Sequence, residues 1–254
     1  MDEVTRNERT TLNLIALVFA LAFPTLVTLV YFKWLNDYAT SVQQTAFSIG
    51  KTLQFAFPVV WVWLFFRYRF KRDHRQRNVE LAAEKKSSES RIPNWLWAIG
   101  FGLDVCIIMG IAYWVLSGGY VLEEMKGKVG EKVAGLGMDS VWKFAMLSTF
   151  YALVHSFLEE YYWRWFVYDL LKRFVNVPMA NLISGLGFMA HHVVLLSVYL
   201  GWTSPMTWLC SAGVAIGGMY WAWLYQRTGT LFWPWVSHMV VDAGIFVLGY
   251  FLIW

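Results

Sequence analysis

Apolar residues come along this chain in long blocks separated by short polar stretches, not in alternation. Seven blocks stand out: Thr11 to Phe32, Thr52 to Phe66, Trp95 to Leu116, Val141 to about Leu171, Val177 to Leu200, Thr207 to Tyr225, and Leu231 to Trp254. At 1.5 Å per residue, a run of about 20 residues crosses the ~30 Å of hydrocarbon in a bilayer. Continuous Leu/Val/Phe/Trp runs lack the period of two that barrel strands need. The expected fold class is therefore all-α, a polytopic transmembrane helix bundle of about seven spans. The segment 117–140 differs: charged residues alternate there with Val121, Met125, Val129 and Val133 at i, i+4 spacing, which predicts an amphipathic helix lying at the surface.

Composition agrees. Hydrophobic residues make up 58% of the chain and mean hydropathy is +0.45, too little polar surface for a water-soluble domain. The net charge of +4 does not point to nucleic acid, because the basic residues sit between apolar runs. The stretch 67–91 carries nine Lys/Arg against four acids and is expected in the cytoplasm, with the N-terminus on the same side and the C-terminus opposite. That arrangement puts fourteen basic residues inside and six outside, with Arg164 inside a span. Ala20-Leu21-Ala22 resembles a cleavage site, but the apolar run continues to Phe32, so a retained span is expected. Cys106 and Cys210 both fall within apolar blocks and read as packing residues.

Against this background a few ionisable residues are out of place. The fourth block contains Glu159, Glu160 and Arg164, each costing about 2.5–3.5 kcal/mol to insert unless paired or facing a cavity. At roughly 100° per residue, Glu160 and Arg164 share a face about 40° apart, whereas Glu159 and Arg164 are about 140° apart. Arg164 is thus expected to serve Glu160, leaving Glu159 as the better general base. The fifth block carries His191-His192 and the seventh carries His238 and Asp242 at i, i+4. Histidines on two spans with paired acids on a third suggest a site. Glu159 and His192 match in depth, roughly 20 Å into their helices. His238 joins them only if the Trp233-Pro234-Trp235 entrance is sunk into the protein. His191, about 100° from His192, is assigned to packing or a backbone hydrogen bond. His155, one turn before Glu159, is a candidate supporting residue, and Asp104 a candidate to line the same cavity. Gly213 and Gly217 form a small-xxx-small pair suited to a helix contact.

Three blocks, Glu159/Glu160/Arg164, Phe188/His192 and His238/Asp242, resemble the Glu-Glu-x-x-x-Arg, Phe-x-x-x-His and His-x-x-x-Asn/Asp signature of the CPBP intramembrane proteases, the CAAX-endopeptidase and bacteriocin-processing (Abi) family. The resemblance covers about 141–254 and implies a catalytic bundle there, with residues 1–140 supplying N-terminal spans. It implies intramembrane proteolysis: Glu159 and His192 activate water, His238 and Asp242 stabilise the oxyanion, and Glu160 with Arg164 orient the site. Glu159, His192 and His238 are the candidate metal ligands; Glu/His ligation suits zinc, and the motif leaves a metal requirement open. An ionised Asp242 accepts but cannot donate a hydrogen bond, so its part at an oxyanion departs from that of Asn. His-Glu-x-x-His and Gly-x-Gly-Asp are absent, which argues against other intramembrane protease chemistries.

The expected activity is an intramembrane endopeptidase of a membrane-associated peptide or protein, with the lipid bilayer as its other partner, in the plasma (inner) membrane of a prokaryote. Two alternatives are a non-catalytic immunity or scaffold member of the same family and a small proton-coupled transporter; for the latter no paired half-length segments are seen.

Overall fold

The computed structural model describes residues 3–65, 92–138 and 140–254; the basic stretch 67–91 lies outside them. Every element among the described residues is helical. In chain order these are α1 (Glu3–Leu29, continued by a π-helical turn Val30–Trp34), α2 (Thr40–Phe65), α3 (Asn94–Leu116), α4 (Tyr120–Gly135), α5 (Val141–Leu171), α6 (Val177–Leu200), α7 (Pro205–Thr228) and α8 (Phe232–Ile253). Six of them, all but α4 and α7, are long and apolar enough to cross a membrane. The chain is an integral membrane protein. α7 is as long, at 24 residues, but less apolar: it turns Thr207, Ser211, Gly217 and Gly218 inward and packs along α6.

The start of one span differs most from the sequence expectation. α2 begins at Thr40, not Thr52, because its first three turns carry Ser41, Gln43, Gln44, Thr45 and Ser48, which no hydropathy pattern counts as a span. Lys51 consequently lies inside α2. α4 is an amphipathic helix, as its spacing predicts, with Leu122 and Val133 buried against the bundle.

The core gathers around the second half of α5. Tyr162, Trp163, Phe166, Val167 and Tyr168 are shut away from solvent against Ala16, Leu17 and Ala20 of α1, Phe188 of α6 and Trp221 of α7. Lipid tails are as apolar as these side chains, so association rests on close packing and internal hydrogen bonds. α6 approaches α7 closely at Gly185 and Gly218: a Cβ on Gly185 would stand 2.5 Å from Met219 Cγ and 3.0 Å from the Ala215 carbonyl. The expected Gly213/Gly217 pair does not make this contact, since nothing lies within 4 Å of Gly213. Pro24 interrupts α1 and leaves the Ala20 carbonyl without its helical donor; the Tyr162 hydroxyl fills the gap at 2.8 Å.

α5 is not a plain α-helix. Two π-helical stretches, Tyr151–His155 and Tyr161–Tyr168, flank one α-turn, Ser156–Glu160. Such widened turns are rare and misalign backbone carbonyls. Here the neighbours supply donors: the Trp235 indole to Leu153 at 2.9 Å and the Ser184 hydroxyl to Trp163 at 3.4 Å.

Candidate active site

The short α-turn between the two π stretches presents Glu159 and Glu160 to the bundle interior, 3% and 0% exposed. Glu160 holds two partners. Its Oε1 accepts from His238 Nδ1 at 2.9 Å, and its Oε2 lies 3.1 Å from Arg164 Nε in an ion pair whose N–H is not aimed at the oxygen. The Arg164 guanidinium is fully buried beneath the Phe188 and Trp221 rings, 4.9 and 5.4 Å from their centroids. Its remaining nitrogens have no acceptor among the described residues.

Glu159 faces histidines from three helices. His155 of α5 is 3.8 Å from Oε1, His191 of α6 is 3.5 Å from the same oxygen, and His238 of α8 places Nε2 3.8 Å from Oε2. The second α6 histidine, His192, belongs as well: one ligand atom each from Glu159, His191 and His192 lies within 4.8 Å of the others, a spacing that can hold a metal ion. His192 Nδ1 is 2.9 Å from the Phe188 carbonyl, and a carbonyl only accepts, so Nδ1 carries the hydrogen and the neutral ring offers Nε2 as the acceptor. His238 has acceptors at both nitrogens, Glu160 at Nδ1 and Asp242 Oδ1 3.5 Å from Nε2, and stacks on Trp221 at 4.0 Å. That surrounding suits a ring protonated at both nitrogens.

His238 reaches this depth because the first turn of α8 lies against α5. The Trp235 indole bonds to Leu153 and its ring meets Phe157 at 5.8 Å.

Three sequence readings change. His191 is part of the cluster, and the backbone hydrogen bond assigned to it belongs to His192. Adjacent helical residues diverge by about 100° at Cα, yet their rings meet again over one carboxylate, centroids 4.2 Å apart. Asp104 is exposed on α3 and does not join the cluster. Lys51, one residue ahead of the second apolar block expected from the sequence, is a further charge at the site: its ammonium lies over the rings of Phe47 and Phe55 and within electrostatic reach of Glu159. Glu160 and Asp242 thus meet Arg164 and His238, the mutual pairing that intramembrane charges require.

Residues 141–244 match the family model of Type II CAAX prenyl endopeptidase Rce1-like. Over these residues the chain is similar to the CAAX proteases. The matched segment opens at the first residue of α5 and ends within α8, so it contains the whole Glu/His cluster and leaves out Lys51. No curated protein and no solved structure gives a significant match to the chain.

Proposed function

We propose that this protein is an intramembrane endopeptidase in which Glu159 takes the proton of a water that attacks a peptide bond of a membrane-associated substrate. The observation that carries the reading is a buried carboxylate ringed by histidines inside a transmembrane bundle, within the segment that matches the CAAX-protease family. A general base must lie within hydrogen-bond reach of the proton it abstracts. A water between Glu159 and the α6 histidines meets that condition, with His192 Nε2 as a second acceptor. His238, oriented by Glu160, would donate from Nε2 to the developing oxyanion. Asp242, 3.5 Å from that nitrogen, would hold the ring protonated, a task for a carboxylate that does not require it to donate. Orientation of His238 thus falls to Glu160, with Arg164 behind it.

The residues also fit a metal. His191 is buried, its Nε2 has only the long 3.5 Å approach to Glu159 Oε1, and its Nδ1 has no hydrogen-bond partner among the described residues, which is expensive unless something further binds there. Glu159, His191 and His192 would be the ligands, a set compatible with zinc. A bound divalent ion would supply acidity to the attacking water and polarise the carbonyl.

The test compares membrane proteomes of cells producing the parent protein and its Glu159→Gln variant at equal levels. Uncleaved precursors should accumulate only with the variant. Identical terminal peptides in both would refute the proposal.

A further inference from the structure

A hydrolase inside a membrane consumes water, and α2 carries a face whose chemistry suits its supply. At about 100° per residue, Gln44, Thr45, Ser48, Lys51 and Thr52 fall within an arc of about 120°. Beyond Phe55 the same arc turns apolar, with Val59 and Trp63 exposed, and around the polar turns α2 has two other sectors. Val42, Ile49, Leu53 and Val60 are exposed and apolar, as a lipid-facing surface should be. Phe47, Gly50 and Gln54 turn towards α1: Phe47 meets Tyr31 at 4.6 Å, a Cβ on Gly50 would touch Val27, and Gln54 is buried. The polar sector therefore faces neither α1 nor the apolar lipid side. Gln44, Thr45, Ser48 and Thr52 are exposed, and none bonds to another side chain among the described residues.

Where this sector points is fixed at its inner end. Phe55, one turn beyond Lys51 in the same arc, sets its ring edge-on to His155 at 6.0 Å and Tyr162 at 6.2 Å. Phe57 meets Phe166 at 5.7 Å and closes the contact between α2 and α5. Towards Thr40 the α2 side chains become exposed. On α5, one turn before His155 and 4.9 Å from its ring, the Tyr151 phenol lies within electrostatic reach of both Glu159 and Asp242. On its far side the cluster is walled by Trp163, Phe188 and Trp221.

We propose that the polar face of α2 lines a water-filled crevice that runs from the Thr40 end of the helix, past Lys51, to Glu159. Hydroxyl and amide groups with no internal partner offer water the two to four hydrogen bonds it needs to remain in an otherwise apolar slab. The purpose rests on the hydrolase reading; the test does not. Single cysteines are placed at Thr45, Ser48, Thr52, Ile49 and Leu53 in the full chain carrying Glu159→Gln, Cys106→Ala and Cys210→Ala. Permeabilised membranes are treated with the trimethylammonium methanethiosulfonate reagent, which reacts with the thiolate, so a thiol facing lipid is inert.

Thr45→Cys, Ser48→Cys and Thr52→Cys should react at least tenfold faster than Ile49→Cys and Leu53→Cys. Any variant that does not elute like the parent is replaced by Gln44→Cys or Val42→Cys on the corresponding face. Polar-face cysteines as slow as Ile49→Cys, or all five equally fast, would overturn the proposal. Because the protein tested is inactive, a wet face in a chain that proves not to cleave anything would sink the hydrolase reading alone.

Discussion

Replacing Glu160 by Gln isolates what its charge does, since the amide keeps the size and one acceptor oxygen. In the parent, Glu160 is fully buried between His238 at 2.9 Å and Arg164 at 3.1 Å. Glu160→Gln leaves Arg164 as a buried cation whose other nitrogens have no acceptor among the described residues, and losing one member of a buried pair costs about 3–5 kcal/mol. Removing both charges together, in Glu160→Gln/Arg164→Met, should recover most of that loss, because an apolar replacement of a whole buried pair is close to neutral. Activity should not follow stability. An amide can turn its NH2 towards His238 Nδ1, so the imidazole loses its fixed orientation and turnover should fall by roughly 10- to 100-fold in both variants. Thermal unfolding in detergent, followed by tryptophan fluorescence, gives the first quantity and release of cleaved product the second. A single variant as stable as the parent, or a double variant less stable than the single, would show that the pair does not hold the site together in the way its geometry implies.

Two further outcomes follow from the same coordinates. His191→Ala should reduce turnover by roughly 100-fold or more, as should His192→Ala, and reduce any bound zinc measured after dialysis; parent-like turnover would return His191 to a packing role. Gly185→Ala should destabilise by about 1–3 kcal/mol, because the Ala215 carbonyl at 3.0 Å cannot move aside as Met219 can, whereas Gly100→Ala, with nothing within 4 Å, should not lower the unfolding temperature.

The helical architecture was legible in the sequence because a bilayer forces long apolar runs to be helices, and α3, α5 and α6 keep bounds within a residue of those expected. α2 was half hidden because its amino-terminal turns are polar on one face, and period alone cannot tell a polar-faced span from a loop followed by a shorter one. At the site, the i, i+4 pairing of Glu160 with Arg164 could be read from spacing, since both lie on one helix and the intervening turn tolerates the widening. His191 could not. Its position depends on where α6 sits against α5, set by the close approach of Gly187 to the Trp163 ring, which stacks on His191 at 5.9 Å. The single available hint was its place beside another histidine in an apolar run. Lys51 was obscured by the misplaced start of α2.

The two widened stretches of α5 have an implication for how the molecule is made. Left to itself, a helix newly inserted in lipid favours the regular i→i−4 ladder, since widened turns forfeit hydrogen-bond geometry that nothing nearby restores. The donors that compensate, Ser184 and Trp235, belong to α6 and α8, which follow α5 in the chain. The widened register of α5 is therefore completed only when α8 docks, which brings both the compensating Trp235 indole and the His238 that Glu160 binds. A variant that weakens the docking of α8 would then loosen the aim of Glu159 and Glu160 before it unfolds the rest of the bundle.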